Sequence, residues 1–161
     1  MAIPEFIVEL REKIGTHELW LTGVTAVVRR GNEVLLVRRA DTGVWTPVTG
    51  IVDPGEEPAD AAAREAMEEA AIRCVPERLA AVRATDLVVY ANGDRARYLD
   101  HVFACQWVAG EPFPADGENT EARWFDLDQL PPMPDHMVGR IDVAVRMAPG
   151  CAFVFAGRQK G

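Results

Sequence analysis

One stretch of the chain, Gly50 to Ile72, reads GIVDPGEEPADAAAREAMEEAAI and restricts the fold more than any other. Pro58 suits a first helical turn, where its missing N–H has no helical partner to lose, and the spacing predicts a helix over roughly 58–71. Ala59, Ala62, Ala63, Ala66 and Ala70 make one side of that helix small enough to lie close to a sheet. Opposite them, Glu65, Glu68 and Glu69 fall at i, i+3 and i+4, where side chains are neighbours and like charges repel. Such a cluster is either a solvated face or a site that something positive makes worthwhile. Oxygen-only ligation by clustered carboxylates suits hard cations such as Mg²⁺ or Mn²⁺. Arg64 can reach Glu68, or Glu56 ahead of the helix, as a counter-charge.

The flanking segments supply the sheet that this helix needs. Residues 20–39, WLTGVTAVVRRGNEVLLVRR, read as two strands joined by a Gly31–Asn32 turn, and 40–50 as a loop becoming extended. After the helix, ATDLVVYA and ARYLDHVFACQWV flank Asn92–Gly93 as a second hairpin. A Pro/Gly-rich loop, GEPFPADGENTE, leads into a short strand, ARWFDL. A last helix is expected over His136–Met147, with CAFVFA as a closing strand. Near the N-terminus, Ile3, Phe6, Ile7, Leu10 and Ile14 lie at helical spacing, so residues 4–14 form a helix that packs on its own domain or contacts a second copy. Strands surrounding helices without strict alternation indicate an α/β sandwich with a mixed sheet.

Composition excludes several classes. A formal net charge of -8 argues against a nucleic-acid backbone binder, though not against a small polyphosphate brought in with divalent cations. Cys74, Cys105 and Cys151 form neither a disulfide framework nor a zinc pattern, and His17, His101 and His136 have no ligand spacing. No apolar run reaches the roughly 18 residues of a membrane span. Glu5, Glu9 and Glu12 stand where a signal peptide would be basic and then apolar, so a soluble cytoplasmic chain is expected.

The spacing of Gly50, Glu56, Arg64–Glu65 and Glu68–Glu69 is a fixed pattern of six positions. At roughly one residue in fifteen per position, a chance match in one register is on the order of 10⁻⁷. The stretch resembles the box of the Nudix (MutT-like) hydrolase family, Gx5Ex7REUxEExGU with U aliphatic. The resemblance implies a single domain of the Nudix fold, an α/β/α sandwich. It implies hydrolysis of a nucleoside diphosphate linked to another moiety, with ADP-ribose-like compounds and nucleoside triphosphates equally open. It also implies a Mg²⁺ or Mn²⁺ cofactor; with the acidic charge, the expected partner is a small nucleotide substrate, with no nucleic acid and no membrane.

By position in the box, Glu68 and Glu69, then Glu65, are the expected metal ligands, and Gly50 supplies a backbone carbonyl. Arg64 and Glu56 hold the loop and orient the carboxylates. A further acid from outside the box is expected as ligand or base, Glu118 ahead of Glu121, and the general base stays open among Glu65, Glu68, Glu69 and Glu118. Arg38 and Arg39 either meet substrate phosphates or blunt a strand edge. Trp20, Trp45, Tyr90, Phe103, Trp107 and Trp124 include candidates to stack on a base. Ala71 replaces the family's glycine, so the helix either runs one residue longer or ends in a strained turn. A catalytically silent nucleotide sensor and a diphosphate isomerase are the competing readings; the intact acidic array disfavours both.

Overall fold

The structure, a computed structural model, describes residues 3–145 and 150–155. Its elements are α1 (Glu5–Ile14), β1 (Leu19–Arg30), β2 (Glu33–Arg39), β3 (Trp45–Thr46), β4 (Val48–Ile51) and α2 (Pro58–Ala70). They continue with β5 (Arg73–Ala84), β6 (Val88–Val89), β7 (Arg95–Ala109), β8 (Asn119–Asp126) and α3 (Asp135–Val145). One mixed sheet runs β3-β2-β1-β7-β5 among the described residues. β1 and β7 pair in parallel along their whole length, while β2–β8 and β5–β7 pair antiparallel. On its other edge β1 meets β4 from Gly23 to Ala26 and turns through Gly31–Asn32 into β2.

Because side chains alternate across a strand, β1 feeds two cores at once. Val24, Ala26 and Val28, with Leu35, Val37 and Phe103, pack beneath Ala62, Ala66 and Ala70 of α2. Val27, Val34, Leu36 and Val102 pack on the opposite face beneath Ile141 and Ala144 of α3. The α/β/α layering expected of the sequence is present. α3 is also seated by polar contacts: Arg140 pairs with the buried Asp100 at 3.1 Å, and Thr25 donates to the same carboxylate at 3.0 Å. Arg78 donates to the last-turn carbonyls of Val143 and Ala144, which complements the negative end of the helix.

α1 packs on its own sheet. Its buried Ile7, with Phe6, sits against Leu21, Ile51, Ala96 and Tyr98. Arg11 fastens it by donating to the carbonyls of His17 and Arg95. Ile3, just ahead of the helix, and Val8 and Leu10 on it stay exposed.

Three expectations need correction. Residues 73–84 form a long strand, β5, that sequence patterning did not pick out; it is β7's main antiparallel partner, and the expected partner ahead of Asn92 shrinks to β6. CAFVFA makes no strand over 151–155, only a single parallel bridge from Ala152 to Ala81, and its Ala156 lies outside the described residues. The last helix begins one residue early, at Asp135, and Arg146 and Met147 of its expected end lie outside the described residues.

The helix ends at Ala70, and Ala71 takes the left-handed conformation (φ 56°, ψ 29°) that the family gives to glycine. Its N–H returns to the Met67 carbonyl at 3.0 Å, so the turn is a working cap held by the wrong residue. Ala71→Gly is expected to raise unfolding stability by up to about 1 kcal/mol, read as a higher Tm or denaturant midpoint with an unchanged m-value.

Candidate active site

α2 brings its acids to the sheet through its small side. Ala61, Ala62, Ala66 and Ala70 are fully buried, so the helix backbone lies close over β1 and β4. Glu65 is then forced across Gly50 of β4. A Cβ at position 50 would stand 2.1 Å from the Glu65 carboxyl carbon, so only glycine leaves room for the side chain. The result is two inward-facing carboxylates one turn apart, Glu65 at 0% and Glu69 at 2% exposure, while the Glu68 side chain reaches the rim at 47%.

Arg64 organises the first half of the site. Its guanidinium forks onto Glu56 at 2.8 and 2.9 Å, donates to the Ile51 carbonyl at 3.1 Å, and bridges Glu65 at 2.9 Å and Glu68 at 3.1 Å. Glu56 also accepts from the Asp53 N–H at 3.1 Å, which closes the loop ahead of α2. The Arg64 pairing holds Glu56 below the usual carboxylate range and raises Arg64 itself. Glu65 goes the other way. Burial pushes it up to about 7, outweighing the attraction of Arg64, and its Oε2 is buried without a hydrogen-bond partner among the described residues. An orphaned buried carboxylate oxygen costs free energy unless a proton or a cation meets it.

The second half converges on Glu69. Burial, with Glu65 nearby, pushes Glu69 up to about 7 although Asn119 donates to its Oε2 at 3.1 Å. One carboxylate oxygen each from Glu69, Asp116 and Glu118 lie within 4.8 Å of one another. The loop that carries the last two is bound to the end of α2. Phe113 and Ala115 donate their N–H groups to the carbonyls of Ala70 and Glu69, which a helix end leaves unpaired. Gly110 starts the loop at φ +99°, where a Cβ would stand 2.4 Å from the Ala71 carbonyl oxygen. The Glu118 N–H then bonds Asp116 Oδ1 at 3.0 Å, and the Ala40 N–H bonds the Glu118 carbonyl at 2.8 Å.

The structure thus places Glu69 with Glu118, as one acid from the box and one from the loop. It adds Asp116 and Asn119, which sequence reasoning did not single out. Glu65 and Glu68 stand beside this trio, with a guanidinium between them. Glu121 lies elsewhere, on β8, paired to Arg38 at 2.9 Å and to Arg123. Arg38 also donates to the Gly43 carbonyl, and Arg39 grips Asp41 at 2.9 and 2.8 Å, which raises its pKa. A shallow cavity of about 400 Å³ opens beside Arg64, Glu65 and Glu68, with Pro4, Glu5 and Phe6 of the N-terminal segment on its far wall.

Residues 20–143 match the NUDIX domain family. The chain belongs to the Nudix family. The proteins it resembles in sequence include NAD-capped RNA hydrolase NudC of Pseudomonas syringae pv. syringae (strain B728a), 34% identical over 114 residues. The same-named protein of Pseudomonas aeruginosa (strain LESB58) is 34% identical over 110 residues. Each alignment covers 67% of this chain but only 37% of the relative, so the chain spans well under half the length of these curated relatives. Among solved structures, a UDP-X diphosphatase superposes with a TM-score of 0.64 at 23% identity, over 87% of this chain and 68% of that one. A NUDIX hydrolase from Nitrosomonas europaea gives 0.54 at 27% identity, over 68% and 74%. The first likeness shows the fold alone. The Nudix box of this chain is the loop and helix around α2, and α1 lies outside the matched residues.

Glu65 and Glu69 each bind their proton more tightly folded than at the ordinary 4.5 of an unfolded glutamate. They therefore cost no stability below that value. Their cost grows as pH rises through the interval to about 7 and is complete above it. Metal-free protein is expected to lose thermal stability between pH 5 and 8 beyond what Glu65→Gln or Glu69→Gln variants lose. Mg²⁺ should restore stability at pH 8 far more than at pH 5, as differential scanning fluorimetry would read.

Proposed function

We propose that the chain acts as a single Nudix domain that hydrolyses a phosphoanhydride bond in a nucleoside diphosphate linked to another moiety, with Mg²⁺ or Mn²⁺ as cofactor. The observation that carries this is the pair of buried acids, Glu65 with an orphaned oxygen and Glu69 converging with Asp116 and Glu118. That donor set is oxygen-only and acidic, which fits a hard divalent cation. Glu69, Asp116 and Glu118 would hold it, with Glu65 buried on the same helix and Glu68 at its rim. When bound, such an ion neutralises phosphate oxygens and acidifies a water.

The chain's own residues do the rest. Arg64 fixes Glu65 and Glu68 in place through its bond to both, and Glu56 fixes Arg64. Glu65, buried beside those three ligands and not one of them, is the carboxylate we assign to take a proton from the attacking water. Positioning and charge stabilisation of this kind supply most of the catalysis in phosphoryl chemistry. The names of the sequence relatives support a nucleoside-diphosphate-linked substrate over a nucleoside triphosphate. They also remove support for excluding nucleic acid, because those relatives are named for an RNA. Free dinucleotides and capped RNA 5′ ends both belong in the substrate panel.

In a Mg²⁺ panel of NAD⁺, ADP-ribose, nucleotide sugars, capped RNA and nucleoside triphosphates, the first classes should release nucleoside monophosphate. Glu69→Gln should lower kcat by at least about 10²-fold while remaining folded. Parent-like turnover in that variant removes Glu69 from the site, and an inert panel returns the reading to a nucleotide sensor. Exposed apolar side chains at Val8 and Leu10 of α1, and at Ile3 just ahead of it, support a homodimer through the N-terminal segment. Light scattering should then give twice the chain mass, and a Val8→Lys variant should give the monomer.

A further inference from the structure

We infer that a second cavity, on the α1 side of the box loop, receives the aromatic ring of the moiety beyond the diphosphate, and that it favours a ring carrying positive charge. This rests on the hydrolase reading for what the ligand is, but on separate residues for how it is held. The cavity measures about 570 Å³ and is lined by Phe6, Trp20, Leu99 and His101, with Asp53 and Glu56 among its acidic groups. It shares Phe6, Asp53 and Pro54 with the cavity beside Arg64, Glu65 and Glu68, so one ligand can reach both around the same loop.

Trp20 is the residue that most needs a reason. It stands 60% exposed, although indole is among the side chains most readily buried. The other candidate stackers are engaged: Trp45 packs edge-on against Phe125, Trp107 and Trp124 lie under the Arg30 guanidinium, and Phe103 is in the core. Tyr90 shares its hydroxyl with that of Tyr98 at 2.5 Å. Trp20 alone of the six lines this cavity.

The polar groups at the cavity select charge. Among the described residues no lysine or arginine lines it, so a phosphate gains nothing there, whereas an indole and the Asp53 carboxylate on one lining attract a cation. His101 is set in orientation by its Nδ1, which lies 3.2 Å from the Gly23 carbonyl and so carries the proton, leaving Nε2 for a ligand donor such as an amide. A nicotinamide-type ring, cationic and bearing a carboxamide, meets each of these features.

The test compares NAD⁺ with ADP-ribose, which has the same adenosine diphosphate and ribose but no second ring. Binding is read by isothermal titration calorimetry with Mg²⁺ in a Glu69→Gln background, so that turnover does not intervene. Trp20→Ala should weaken NAD⁺ roughly tenfold and leave ADP-ribose within about twofold, and Trp20→Phe should retain most of the NAD⁺ affinity. Equal effects on both ligands, no effect on either, or no measurable NAD⁺ binding before Trp20 is changed would each overturn the assignment. Turnover is scored separately with Glu69 intact. A Trp20-dependent NAD⁺ complex without hydrolysis would sink the hydrolase reading and keep the cavity; hydrolysis with an unchanged KM in Trp20→Ala would do the reverse.

Discussion

The burial of Glu65 beneath α2 governs the geometry of the rest of the site. Small alanines let the helix approach the sheet, and the approach would fail at Glu65 if β4 carried any side chain at Gly50. Once that carboxylate is inside, it cannot be left alone, because desolvating a charge without a partner costs far more than a packed helix returns. The fold answers twice. Arg64 offers one N–H to Oε1 and is itself held by the two bonds to Glu56. For Oε2 the described residues supply no hydrogen bond, and burial moves the pKa up to about 7. The site is thus built to hold a proton or a cation at neutral pH, and the choice between them is set by what is in solution.

The second half of the site depends on the end of the same helix. The loop carrying Asp116 and Glu118 has no regular structure, and it is positioned by donating to carbonyls that α2 leaves open at Glu69 and Ala70. Gly110 must lie against the Ala71 carbonyl for that to happen, so the strained turn at Ala71 and the placement of the loop acids are one feature. A longer helix would have carried those carbonyls away from Phe113 and Ala115. The left-handed turn at Ala71 is what keeps Glu69 facing Asp116 and Glu118.

How much of this was legible follows from how local each signal is. The Gly31–Asn32 turn, α1 and α2 were readable because their periodicity and end residues lie within a few positions of one another. β5 was not: RCVPERLAAVRA contains Pro76, few β-branched residues and three register irregularities, and it is held as a strand by pairing with β7. Glu56, Arg64, Glu65, Glu68 and Glu69 could be placed from spacing alone, yet their division into two buried acids and one rim acid could not. That division depends on which face Gly50 admits. Asp116 carried no signal beyond a loop acid before a glycine, since what recruits it is a carbonyl on a helix more than forty residues upstream in the chain's own numbering, Glu69.

The charge around the site argues for the order in which its ligands arrive. With a net charge of -8 and acids at Glu65, Glu68, Glu69, Asp116 and Glu118, an approaching diphosphate is repelled until positive charge is in place. The two arginines that the sequence offered for substrate phosphates do not relieve this at rest, because Arg38 is paired with Glu121 and Arg39 with both oxygens of Asp41. For either to meet a phosphate, a carboxylate must be released in exchange, and the net gain of such a swap at an exposed pair is small. In the proposed reaction, therefore, attraction for the diphosphate comes mainly from the cation that Glu69 and its neighbours hold. Selectivity comes from the cavity around Trp20 and Asp53, away from them, so that binding strength and substrate choice rest on different parts of the molecule.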